Sequence, residues 1–357
     1  QRQLLPAMIG WFAQGADPDA GLLAFRQLSE QLQDVQWYLK LLRDSGHAAQ
    51  RLARLLSTSG YVTKALLSSA QDITWLDKDE DLLPRDPARL YKEADAILRR
   101  SGDVDQCVTA LRGLRRRELV RAAAADVLGL IDSVEAAATV TAAADVVLDG
   151  ALRIAVETVA REESLEELPL TMIVVAMGRY GGCEMGYTSD ADVQFVFDSN
   201  HEKAQDYAQR VATTLRQLLQ RVDAQPSLEV DAGLRPEGKN GPLARSLTSC
   251  TEYYRRWSDP WEAQALLRAR TVAGDADLQE RFTAMIDEVR YPKELPSSAL
   301  KQMRTLKARM ESERLPRGVD PRRHVKLGPG GLSDVEWSVQ LLQLQHAHRD
   351  PSLRTTM

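Results

Sequence analysis

Apolar residues recur at three- and four-residue spacing through most of residues 1–165, a pattern that predicts packed amphipathic helices. Leu32, Val35, Leu39 and Leu42 fall on one helical stripe, with Trp37 and Tyr38 beside it. A second stripe runs through Ala144, Val147, Leu148, Ala151, Leu152 and Ala155, and Asp132 with Glu135 has capping-box spacing ahead of it. Residues 77–87 are charged and hold Pro84 and Pro87, so they read as a loop or hinge. The run Arg115, Arg116, Arg117 lies in a helical stretch and reads as a solvated face.

At Leu170 the pattern changes. Residues 171–177 are a short, β-branched apolar run stopped by Gly178, which predicts a buried strand. Residues 190–197 alternate, with Asp190, Asp192, Gln194 and Val196 on one face and Ala191, Val193, Phe195 and Phe197 on the other. A helix follows, its apolar side formed by Tyr207, Ala208, Val211, Ala212, Leu215, Leu218 and Leu219. Residues 227–231 then predict a further strand, with Glu229 and Asp231 facing one way and Leu228 and Val230 the other. After the loop RPEGKNGP the chain returns to helix, including DPWEAQALLRAR. The loop HVKLGPGG leads into a last helix at Ser333, where Ser333 and Glu336 again have capping-box spacing.

These elements predict an α+β fold: a small, mostly antiparallel or mixed sheet flanked by helical bundles. The expected division is a helical linker region 1–90, a sheet-bearing domain with its preceding helices at 91–295, and the start of a truncated helical bundle at 296–357. At 357 residues, two or three packing units are possible. With 44% apolar and 27% charged residues the composition is that of an ordinary globular protein. A net charge of −5 argues against coating nucleic acid, though it allows a local basic pocket. Cys107, Cys183 and Cys250 are widely spaced, which predicts neither disulfides nor a zinc site and fits the reducing cytoplasm. No apolar run reaches about 18 residues and no signal peptide is legible, so no membrane association is expected. The absence of an initiator Met suggests a piece of a longer protein.

The chemistry concentrates in GRYGGCEMGYTSDADVQFVF, residues 178–197. Two carboxylates at i and i+2 on a strand lie about 7 Å apart between Cα atoms and repel wherever water is excluded. Asp231, on a strand that can pair alongside, would complete an oxygen cluster suited to one or two Mg²⁺ ions and a phosphorylated substrate. The pair Gly181 and Gly182 allows close approach of backbone N–H groups to a triphosphate. Together these point to nucleotidyl transfer. Each feature also has a plainer reading: an exposed strand face for the aspartates, a tight turn for the glycines and an Asx turn for Asp231.

Further candidates are basic. Arg179, Arg235 and Lys239 could neutralise charge developing on a triphosphate. Arg268 and Arg270, read on one helix, would be about 200° apart, and Arg268 shares a face with Gln264 and Trp261, so it is the preferred nucleotide contact. Lys326 could reach a phosphate or an acidic partner. Asp334 and Glu336 are weaker candidates, Glu336 being also explained by a cap with Ser333.

The order of GG, DxD and a third Asp resembles the nucleotidyltransferase superfamily related to DNA polymerase beta. MGRYGGCEMGYTSDAD, LRPEGKNGP, WEAQALLRAR and KLGPGGLSDVEW together resemble the family of bifunctional glutamine synthetase adenylyltransferases, and GYTSD is similar to its transferase half. The resemblance implies a polymerase-beta-like domain that transfers AMP from ATP to a tyrosine of glutamine synthetase. It implies that Asp190, Asp192 and Asp231 hold Mg²⁺ and that Gly181, Gly182 and Ser189 hold the nucleotide. Phosphorolytic removal of AMP, or a non-catalytic module binding nucleotide or a PII-type signal protein, remains the alternative. One departure is Gly233, which stands where that family has an arginine.

Overall fold

The computed structural model describes residues 5–100, 102–316 and 318–356. Its Cα packing divides the chain into two compact units. Unit 1 comprises Gln1–Gly150, Met185–Ser189 and Val222–Ser227; unit 2 comprises Ala151–Glu184, Asp190–Arg221 and Leu228–Met357. The first boundary falls inside a single helix, Ser133–Glu162, where no composition shift could mark it.

The long secondary-structure elements of unit 1 are helices. Asp17, Ser45 and Ser59 cap the helices Pro18–Gln31, Gly46–Thr58 and Gly60–Ser68 by accepting backbone N–H bonds. Phe12, Leu28, Tyr38, Leu52, Leu55 and Ile73 are buried in the core. The stripe expected through Leu32 and Leu42 is not one helix: the chain turns after Gln31 and a new helix spans Gln36–Asp44. Folding back lets Leu28, Leu32, Tyr38 and Leu42 all reach the core, at the cost of leaving Leu39 40% exposed. The expected loop at residues 77–87 is irregular only at 78 and 83–86, with the one-turn helix Asp79–Leu82 between them.

The arginine run is not a solvated face. On the helix Val104–Leu128, Arg115 is 4% exposed and donates to Ser227 O, Arg116 donates to Asp72 at 2.7 Å and Arg117 pairs with Glu93. Glu118, fully buried, lies 3.6 Å from Arg85 and 3.5 Å from Arg121, and Arg121 stacks over Trp75. Acidic groups distant in sequence offset the cost of burying these charges.

Unit 2 holds a five-stranded mixed sheet. Strands β1 (Thr171–Ala176) and β2 (Ala191–Asp198) are antiparallel, and β3 (Val230–Asp231) and β4 (Ala244–Ser246) both run parallel to β2 along its other edge. Strand β5 (Arg270–Gly274) pairs antiparallel with β1. It replaces the end of an expected helix, because the helix Pro260–Leu266 stops before Arg268. Strand β2 is covered on both faces, and the face that begins acidic with Asp190 and Asp192 continues buried at Gln194 and Val196. Ile173, Val175, Met177 and Val196 pack with Cys250, Tyr254, Leu278 and Phe282. No helix among the described residues is long and apolar enough to cross a membrane.

Candidate functional site

Parallel pairing brings the acidic residues together. Asp192 on β2 is in register with Asp231 on β3, and the Ala191 N–H donates to Glu229 O at 2.8 Å. Asp190 directly precedes β2, and one oxygen each of Asp190, Asp192 and Asp231 lies within 4.8 Å of the others. The alternation expected around Asp231 is present: Leu228 and Val230 are buried while Glu229 and Asp231 are exposed. Asp231 also accepts the Gly233 N–H at 2.7 Å, so the plain Asx-turn reading and membership of the cluster hold together.

Asp192 is half-buried, and its carboxyl is pushed up to about 6, first by burial and then by the charges of Asp190 and Asp231. Lys326 opposes the shift, which places its ammonium in electrostatic reach of the cluster. Three oxygen ligands that repel one another fit a hard divalent cation such as Mg²⁺, which would relieve that repulsion.

Glycines shape the ground beneath. Met177 donates its N–H to Asp192 O at 2.8 Å, and Gly178 follows with φ of 54°. A Cβ on Gly178 would stand 2.8 Å from Asp192 Oδ2, so both backbone conformation and space demand glycine there. The one-turn helix Gly178–Gly181 comes next. Gly181 and Gly182 donate their N–H groups within this turn, to Met177 O and Gly178 O. What the pair supplies is room: a Cβ on Gly181 would overlap the Arg268 carbonyl oxygen, and one on Gly182 would lie 3.2 Å from Arg268 Nη1. Cys183, at φ of 55°, ends the helix in a Schellman-type cap, with Cys183 N–H bonded to Tyr180 O and Glu184 N–H to Arg179 O.

The other candidates separate by partner. Ser189 accepts the Gly186 N–H at 2.9 Å. Arg179 and Lys239 are exposed. Arg235 staples its own loop, donating to Ala232 O, Lys239 O and Gly241 O. Arg268 makes a two-point ion pair with Glu184 at 2.6 and 3.2 Å, and Glu336 lies 3.7 Å away. Because Arg270 lies on β5, the two arginines do not share a helix and the angular argument between them lapses. Asp334 pairs with Lys307 and accepts the Gly330 N–H at 2.6 Å. The capping box expected from Ser333 and Glu336 is absent: Gly331 is the N-cap, so Ser333 sits two positions past it, inside the helix Leu332–His346.

Sequence reasoning missed Gly178, Glu184 and Gln194. Gln194 donates to Leu234 O at 3.0 Å and accepts the Tyr254 hydroxyl at 3.1 Å, anchoring the loop after β3. Its position two residues beyond Asp192 was the available signal. Glu184 had none, since its partner is 84 residues away. A Cβ at Gly233 would come within 3.1 Å of Asp231 Oδ1, so the position given over to glycine borders the cluster itself.

The profile of a protein family described as glutamate-ammonia ligase adenylyltransferase matches residues 49–285. A Streptomyces coelicolor protein named bifunctional glutamine synthetase adenylyltransferase/adenylyl-removing enzyme is 49% identical, over 100% of this chain and 37% of its own length. Proteins of the same name from Leifsonia xyli and Mycobacterium tuberculosis are 48% and 44% identical, covering 99% and 100% of this chain and 35% and 36% of theirs. The chain thus spans little more than a third of the length of these relatives.

Proposed function

Because the chain belongs to the glutamate-ammonia ligase adenylyltransferase family, we propose that its acidic cluster transfers AMP from ATP to a tyrosine hydroxyl of glutamine synthetase, releasing pyrophosphate. The observation that carries this reading is the convergence of Asp190, Asp192 and Asp231 within 4.8 Å. Asp190 just before β2, Asp192 on β2 and Asp231 on β3 would hold Mg²⁺. Bound there, Mg²⁺ supplies Lewis-acid stabilisation of the charge on the nucleotide and on the departing pyrophosphate.

The chain's own residues orient the reaction. Gly233 fixes the Asp231 carboxylate through Oδ1, and Asp231 takes the proton of the attacking tyrosine as its oxygen bonds to the α-phosphorus and the bond to pyrophosphate breaks. Gly178 lets Asp192 approach the turn after β1 without a clash. Lys326, whose charge acts on Asp192, is a proposed phosphate contact. Gly181, Gly182 and Ser189 belong to the nucleotide-binding turn in this proposal, the glycines by letting Arg268 pack against the turn and not by donating free N–H groups. Arg179 and Lys239 are proposed phosphate contacts because both are exposed.

The relatives' name joins two activities, so removal of AMP by phosphate is the second reading. Incubation with ATP, Mg²⁺ and glutamine synthetase should give a target heavier by one AMP in its intact mass, and Asp190→Asn should abolish the adduct. If instead adenylylated glutamine synthetase and phosphate yield ADP while the forward assay stays silent, the second reading replaces the first.

A further inference from the structure

We propose that Arg268 is a positioning residue for the acidic cluster, clamping the glycine turn from below and making no contact with nucleotide. The inference rests on the cluster holding a divalent cation. Arg268 meets both glycines of the turn: Gly181 gives way to its carbonyl oxygen, with the Ala176 carbonyl also close, and Gly182 lies against its guanidinium and the Thr356 carbonyl. The helix that those glycines close begins at Gly178, whose missing Cβ makes room for Asp192 Oδ2.

The clamp is held from two sides. Glu184 takes Arg268 through two hydrogen bonds, a geometry that only a planar guanidinium can satisfy. The left-handed backbone at Cys183 turns the chain so that Glu184 follows directly after the helix cap. Glu336, on the helix Leu332–His346, adds a second carboxylate at 3.7 Å. The Arg268 side chain is 16% exposed, and Glu184 occupies both of its terminal nitrogens, so its charge is directed to protein carboxylates. The sequence of contacts therefore runs from Glu184 through Arg268 to the glycine turn, whose Gly181 N–H bonds to Met177 O, and from the Met177 N–H to Asp192 O.

Two variants test the clamp, each read by Mg²⁺ titration of thermal stability and by ATP binding. Arg268→Lys keeps the charge but loses the two-point pairing; Glu184→Gln keeps the shape and removes the charge at a half-exposed site. Both are expected to raise the Mg²⁺ concentration for half-maximal thermal shift by about 10- to 100-fold, as for other groups that orient metal ligands. ATP affinity at saturating Mg²⁺ should stay unchanged. Weakened ATP binding in Arg268→Lys with an unchanged Mg²⁺ midpoint would overturn the proposal and make Arg268 a phosphate ligand. An unchanged Mg²⁺ midpoint in Glu184→Gln would overturn it even if Arg268→Lys failed to fold. Absence of Mg²⁺ binding in the unmodified protein removes the premise and so sinks the clamp too, whereas Mg²⁺ binding without AMP transfer would count against the proposed function alone.

Discussion

At the scale of single residues, Asp192 shows how the site stores electrostatic tension. Its carboxyl is pushed up to about 6 from 3.8, chiefly by burial, so the folded state holds the proton more tightly than the unfolded one. The sign follows from linkage: without a divalent cation this group favours the fold fully below pH 3.8, and the benefit is lost as pH rises through about 6. A cation binds the ionised form, so Mg²⁺ should raise the melting temperature strongly at about pH 7.5 and much less at about pH 5.5. Asp192→Asn should raise the metal-free melting temperature at the higher pH and nearly abolish the Mg²⁺ shift. A shift independent of pH and unaffected by the substitution would show that the cation binds elsewhere. The acidic residues were legible because their spacing on a strand is local. Gly178 was not, because its reason is the Asp192 carboxylate facing it from the next strand.

At the scale of elements, two identical spacings had different outcomes. Asp132 and Glu135 form the expected capping box: the Glu135 N–H donates to Asp132 at 2.8 Å and the Asp132 N–H to Glu135 at 3.0 Å. Ser333 and Glu336 do not, because the loop before them, with Ser333 N–H bonded to Lys326 O, starts the helix earlier. Asp132→Ala should therefore cost about 1 kcal/mol in chemical denaturation. Ser333→Ala should be neutral or slightly stabilising, since the Ser333 hydroxyl is buried without a hydrogen-bond partner. Equal losses at both positions would contradict this assignment of caps. Strand β5 makes the same point in reverse: residues after Leu266 have helical composition, yet pairing with β1 draws them into the sheet. A short apolar run takes the conformation that its neighbours complete.

At the scale of the whole molecule, buried charge is a main constraint on stability. Glu118 lies between Arg85 and Arg121, and burial pulls the Arg121 guanidinium below its ordinary range while Glu118 pulls it back. Glu118→Ala should destabilise the protein by about 3 to 5 kcal/mol, because it leaves an uncompensated buried cation. A loss under about 1 kcal/mol in denaturant unfolding would show that the arginines do not depend on it. None of this was visible in the run Arg115 to Arg117, where charge alone suggested solvent. The sequence by itself determined the periodic helices, the identity of β1, β2 and β3, and the three carboxylates, since each depends on residues within a few positions of one another. Only the tertiary structure decided that Glu184 holds Arg268, that the two units interleave in sequence and that β5 is a strand. Those outcomes depend on groups tens of residues apart, whose pairing free energy exists only once the chain has brought them together.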